Sequence, residues 1–339
     1  MSFRKWTIWR YTLPLRRPLT VQHHETTTRE GLILQLIGDN GAIGLGEAAP
    51  LPGLHTETLE DAAAQLQAWC ESNQAKPPSQ NDTAPAYPST VAFAISNALS
   101  QLGASTTPPD SIAVYSAGLV NGSIDECLDQ ALAQAKAGAR AIKVKVGRRP
   151  LEQDKQLIRT LRSALDADIE IRADANRAWR LGEAESFAAV QDCISFVEEP
   201  LQDPTGLPAL CEKTGMSVAL DESVLDQPDL KETVGVNAVV LKPTLLGRIN
   251  STIAWIKWAQ QNDKRAIISA TFESDVGQRA IARIAAQLPN EVHGLGTWAW
   301  FEVPLVGPGP RFENGTLTYK APQTLDTGSP NLVRIAGKM

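Results

Sequence analysis

Ala141-Ile142-Lys143-Val144-Lys145-Val146-Gly147 is the stretch on which the fold turns. It is a short apolar run carrying two lysines at i and i+2, which in a strand point to the same face. Similar short runs recur on both sides of it, at residues 112–119, 169–173, 194–197, 218–220, 238–241, 266–269 and 292–295. After the first, their centres lie roughly 20–30 residues apart, and helical patterns such as 151–165 and 248–261 fill most of the gaps. Eight strands alternating with helices predict a parallel α/β barrel. An open doubly wound sheet is the alternative. Against it, no G-x-G-x-x-G follows the early strands, and Gly44-Leu45-Gly46-Glu47 is too short a match that opens no clear helix.

The residues before this rhythm read differently. Residues 3–13 and 31–37 have strand-like content, 59–70 and 88–102 have helical spacing, and 75–88 is a loop by composition. The reading is a small α+β domain over residues 1–105, a barrel over 106–304, and a segment 305–339. That last segment includes a strand-like stretch at 316–319, and the segment is expected to leave the barrel and pack back on the first domain.

Charged residues close nearly every barrel run. The third ends Arg172-Ala173-Asp174-Ala175-Asn176, the fourth Val197-Glu198-Glu199-Pro200, the fifth Leu220-Asp221-Glu222-Ser223, and the sixth Leu241-Lys242-Pro243-Thr244. In a β/α barrel these ends converge on one mouth, where active sites are built. Three bare carboxylates from successive strands would repel, and a hard divalent cation resolves the conflict. Oxygen ligands without His or Cys favour Mg²⁺, or Mn²⁺, over Zn²⁺. Lys143 and Lys145 face the interior, with Lys242 across the ring from them. Burial and neighbouring positive charge are expected to lower a lysine's pKa, as suits a general base. Singly, each residue has an ordinary alternative: a strand-end Asp as a helix cap, Glu199-Pro200 as a turn, Lys143-Val144-Lys145 as a polar edge. The joint pattern on five consecutive strands favours a shared metal site.

Composition narrows the partners. With 43% hydrophobic residues a large core is available, and 21% charged residues argue against disorder. A net charge of −6 without a long basic block makes nucleic acid and anionic membrane poor partners. No signal-like apolar region opens the chain, and no stretch is apolar enough to span a bilayer. Cys70, Cys127, Cys193 and Cys211 form no C-x-x-C pair and read as reduced cytosolic thiols, so a cytoplasmic location is expected. The sequence is silent on oligomeric state. His23 and His24 are expected in a mobile loop, residues 21–29, near the mouth; Trp298 and Trp300 are read as packing residues.

With these motifs the chain resembles the enolase superfamily, specifically its muconate-cycloisomerase-like branch, over nearly its whole length. The resemblance implies a modified (β/α)7β TIM-type barrel with an N-terminal α+β capping domain. It also implies one or more Mg²⁺ ions stabilising an ene-diolate, with a lysine base. "KVKVG" supplies Lys143 and Lys145, with Lys145 as base. Asp174, Glu198 (the first Glu of "VEEP") and Asp221 are implied as metal ligands, and Lys242 as the lysine on the other substrate face. Within the superfamily, "GLGEAAPLPGLHTETLEDA", "RADANRAW", "LKPTLLG" and "IISATFESDVG" are most similar to the o-succinylbenzoate synthase family. That implies syn dehydration of a small-molecule cyclohexadiene carboxylate in menaquinone or phylloquinone synthesis. N-succinylamino acid racemase and muconate-type cycloisomerase are the rival activities. A non-catalytic binding protein is the distant one, disfavoured because every motif position is filled. The Asp-x-Asp of dipeptide epimerases is missing at Gly294-Leu295-Gly296-Thr297. Asn176 and Arg172 are expected near Asp174, and Ser269, Glu273, Ser274 and Gly294 near the substrate.

Overall fold

Residues alternating between buried and exposed along the N-terminus form strands rather than helices, as period two requires. The computed structural model describes residues 2–21, 24–74, 87–103, 111–320 and 325–338. β1 (Phe3–Val21) and β2 (His24–Gly38) make a long antiparallel hairpin, and β3 (Ile43–Ala48) pairs with β2. Residues 24–29, expected as loop, belong to β2. Thr26 and Thr28 pair with Leu19 and Pro14, and the β-branched threonines suit an extended ribbon. His23 and residues 75–86 of the expected loop lie outside the described residues.

Two helices, Leu59–Asn73 and Ser89–Leu102, cover this sheet, burying Phe3, Trp6, Leu34, Leu66 and Ala94 in one core. Gly44 and Gly46 allow that closeness: a Cβ at Gly46 would lie 1.9 Å from the Ala94 carbonyl oxygen. The Gly-Leu-Gly is thus a helix-docking strand and not a nucleotide loop.

The barrel follows, as β4 (Ser111–Ser116), β5 (Gly118–Val120), β6 (Ala141–Lys145), β7 (Glu170–Asp174), β8 (Phe196–Glu198), β9 (Val218–Leu220), β10 (Val236–Leu241), β11 (Arg265–Ile268) and β12 (Val292–His293). β5 to β11 pair in sequence as parallel neighbours, and β12 pairs with β4, which continues through Ala117 into β5. A parallel bridge between Ser269 and Gly294 closes the ring. Phe196, Ala219, Ala238, Val240 and Ile267 plug the interior. Helices Leu151–Ala164 and Ile249–Gln261 stand where their spacing places them. The last segment divides, part of it staying at the barrel and part returning to the first domain. β13 (Arg311–Glu313) and β14 (Thr316–Lys320) form a hairpin whose second strand pairs antiparallel with β4, at the barrel; β15 (Leu332–Lys338) then returns to β1. No helix among the described residues is long and apolar enough to cross a membrane.

His293 closes the ring chemically. Its Nδ1 accepts the Ile268 N–H at 3.1 Å, and Nε2 faces the Ala285 carbonyl oxygen at 3.1 Å. Burial, with help from Arg172, holds it down at about 4 against the opposing pull of Glu291. The unfolded chain takes up this proton near pH 6.5 and the fold only near 4, so stability falls as pH drops through that window. The loss should approach roughly 3 kcal/mol. In urea titrations between pH 6.5 and 5, His293→Gln is expected to flatten the slope of stability against pH; an unchanged slope would refute this role.

Candidate active site

Period-two alternation carries Lys143 and Lys145 on β6, Asp174 on β7, Glu198 on β8, and Asp221 and Lys242 just past β9 and β10 into the barrel mouth. Lys143 Nζ lies 2.7 Å from Asp174 Oδ2 and 2.7 Å from Glu198 Oε1, so two carboxylates share one ammonium. Lys145 Nζ donates to Asp174 Oδ2 and to Asn176 Oδ1, each at 2.6 Å. Lys242 Nζ donates to Asp221 Oδ2 at 2.5 Å. The three carboxylates are only 1–6% exposed, whereas the lysine side chains remain 16–22% exposed toward the mouth.

The electrostatics follow from this crowding. Burial alone would raise Asp174, but Lys143 and Lys145 hold it well below the carboxylate range. Glu198 is pushed up, first by burial and then by Asp174, so the cluster is short of positive charge there. The lowered lysine pKa expected from sequence is not found at Lys143 or Lys242. Burial acts downward on each, yet the facing carboxylates outweigh it and raise both. Among the described residues no group of three or more carboxylate, His or Cys side chains is arranged as a ready-made metal site, because lysine ammoniums sit among the carboxylates. The donors nonetheless suit a hard divalent cation: all are oxygens, all are buried, and two already converge on one cation.

Glu199 was passed over in the sequence reading as a ligand, and its own role was missed. It is fully buried with φ 43°, and its carboxylate accepts the Asp221 and Ser223 N–H groups, the Ser223 hydroxyl and the Arg177 Nε–H at 2.8–3.0 Å. Asn176 and Arg177 also lie in the left-handed region, at 44° and 59°. Strain of this kind persists only where the surroundings enforce it. Glu199 therefore ties the end of β7 to the end of β9. Glu199→Gln should cost about 3 kcal/mol or more by leaving donors facing an amide N–H₂. It should lower Tm first, whereas Glu198→Gln should spare Tm and lose metal; the reverse pattern would exchange their roles.

The remaining expected residues divide. Asn176 stands in the cluster, bonded to Lys145. Ser269 and Gly294 line a small cavity of about 20 Å³ with Lys143 and Glu198. Arg172 touches the same cavity but does not contact Asp174: its guanidinium turns to Glu170, Glu291 and the Val292 carbonyl, because the lysines already occupy Asp174. Glu273 is buried on Thr244 and Thr271, and Ser274 caps the helix Asp275–Ala285 while donating to Glu47. Ser274 thereby ties the barrel to the N-terminal domain, and Glu273 joins the loops that follow β10 and β11. Glu47, given no role in the sequence reading, accepts from Tyr11 within the N-terminal domain and from Ser274 and Gly277 across its junction with the barrel.

Comparison with known proteins bears on the fold and the family. Residues 126–324 match the family described as Enolase C-terminal domain-like, and residues 3–102 the MenC N-terminal domain. The o-succinylbenzoate synthase of Vibrio cholerae serotype O1 is 35% identical over 319 residues, covering 90% of this chain and 92% of that protein. A dipeptide epimerase from Enterococcus faecalis, solved with Mg and the dipeptide L-Leu-L-Tyr, superposes with a TM-score of 0.78 at 20% identity, covering 97% of this chain and 99% of that one. MenC from Desulfotalea psychrophila superposes with a TM-score of 0.78 at 21% identity, covering 94% and 100%.

Proposed function

The chain belongs to the enolase superfamily and, within it, to the o-succinylbenzoate synthase family, and we propose on that footing that it dehydrates 2-succinyl-6-hydroxy-2,4-cyclohexadiene-1-carboxylate to o-succinylbenzoate. The step belongs to menaquinone or phylloquinone biosynthesis. The observation that carries the reading is 35% identity along 90% of the chain to a synthase of that reaction. Residues 1–105 serve as the cap, 106–304 as the catalytic barrel and 305–339 as the returning segment.

Asp174, Glu198 and Asp221 are the residues to hold Mg²⁺, or Mn²⁺ in its place, whose Lewis acidity offsets charge building on the substrate carboxylate. Lys145 takes the proton α to that carboxylate at Nζ. It returns the proton to the hydroxyl leaving from the same face, so the C–H and C–O bonds break, the ring gains its third double bond and water departs. Asn176 holds the Lys145 ammonium in place. Lys143 adds positive charge beside the carboxylate. Lys242 lies over the opposite ring face, where cation–π attraction strengthens as the ring aromatises.

Racemisation would use the same two lysines as opposed bases. In D₂O with an N-succinylamino acid, little or no α-proton exchange is expected. Rapid exchange of both enantiomers, with feeble aromatisation of the cyclohexadiene, would replace the dehydratase by a racemase.

A further inference from the structure

Glu273 is a buried acid that the dehydration scheme leaves unused. It stands in the loop 269–274, between β11 and the helix Asp275–Ala285. Its Oε2 accepts the Thr271 N–H at 2.7 Å, and its Oε1 accepts the hydroxyls of Thr271 and, at 2.8 Å, of Thr244. The loop reverses at Phe272, whose φ is 64°. A bulky residue keeps that conformation only where its surroundings enforce it. Here Arg29 donates to the Phe272 carbonyl at 3.0 Å, and Glu47 accepts the Ser274 N–H at 2.8 Å. The N-terminal domain thus fixes the loop from one side, and Glu273 extends from that fixed loop to Thr244 on the other.

Thr244 matters because of where it stands. It is the second residue of the single helical turn Pro243–Leu246, which starts on Lys242. The Lys242 carbonyl accepts the Leu245 and Leu246 N–H groups, each at 3.0 Å. Pro243 presets the first φ of the turn. The direction in which the Lys242 side chain leaves the backbone therefore follows the orientation of the turn. One helical turn makes too few internal bonds to hold itself. Its polar tether is the Thr244 hydroxyl, buried together with Glu273. At the other end of the lysine, the ammonium rests on Asp221, which is also one of the residues to hold the ion. The backbone end has to be fixed independently of that contact.

We propose that Glu273 is a positioning residue for Lys242: through Thr244 it holds the turn Pro243–Leu246 so that the lysine stands over the ring face opposite Lys145. This rests on the dehydratase reading above, in which Lys242 lies over that face.

The test is a double-mutant cycle in the Mg²⁺-loaded full chain, read both as kcat for the cyclohexadiene substrate and as Kd for o-succinylbenzoate by calorimetry. Thr244→Val removes the hydroxyl at nearly constant volume, and Glu273→Met removes the acceptor at nearly the same length. Each should lower kcat about tenfold and raise Kd about threefold, with Mg²⁺ affinity unchanged. Thr244→Ser restores the hydroxyl and should recover most of both losses. In a Lys242→Ala background, Thr244→Val should cost less than about twofold further in either quantity, because the group it misplaces is gone. An equal loss with and without Lys242 is the mark of a merely structural tie and would overturn the assignment while leaving an active wild type a dehydratase. A Thr244→Val protein with wild-type kcat and Kd would overturn it equally, and Thr244→Val decides alone where Glu273→Met does not fold. A wild type that neither forms nor binds o-succinylbenzoate defeats the parent reading and this one with it.

Discussion

Lys145→Ala is expected to lower kcat for aromatisation by about 10²–10⁴-fold or more while the protein keeps its Tm within a few degrees. The Lys145 side chain is 21% exposed at the mouth, and its ammonium bonds Asp174 and Asn176 without filling core space. Removing it therefore takes away an acid–base group and leaves packing untouched. Lys242→Ala should also slow the reaction, but through lost electrostatic support, and it should not remove the proton acceptor. A Lys145→Ala protein that still aromatises at wild-type rate would move the base elsewhere.

Metal removal should have an effect of comparable size. EDTA is expected to abolish turnover, and Mg²⁺ or Mn²⁺ to restore it, because the clustered donors are carboxylates alone. Asp174→Asn, Glu198→Gln and Asp221→Asn should each weaken metal binding while leaving the fold intact. In the metal-free protein, Glu198→Gln relieves repulsion at the carboxylate that burial and Asp174 push up, so its Tm should be equal to or above wild type. Calorimetric titration with Mg²⁺ decides the point; full activity in a demonstrably metal-free sample would contradict the assignment.

The sequence made the site's membership legible because strand ends in a barrel share one mouth. Lys143, Lys145, Asp174, Asp221 and Lys242 needed only their strand-end positions to be placed together, while the choice of Glu198 over Glu199 came from the family resemblance. Arg172 has the same spacing but a long side chain, and which carboxylates capture it depends on pairings no spacing records; Glu170 and Glu291 win. The lysine pKa direction failed at Lys143 and Lys242 for the same reason, since the facing carboxylates decide it. Glu199 falls on the opposite face from Glu198, and its partners come from β7 and β9, distant in the chain. The end of the β1–β2 hairpin was illegible because a two-stranded polar ribbon buries little on either face and so shows no alternation.

The most direct measurement follows ultraviolet absorbance as the purified, Mg²⁺-loaded protein is mixed with 2-succinyl-6-hydroxy-2,4-cyclohexadiene-1-carboxylate. Loss of the diene band with stoichiometric appearance of o-succinylbenzoate is expected, at a rate that EDTA abolishes. Persistence of the diene in the presence of folded protein and Mg²⁺ would contradict the assigned reaction.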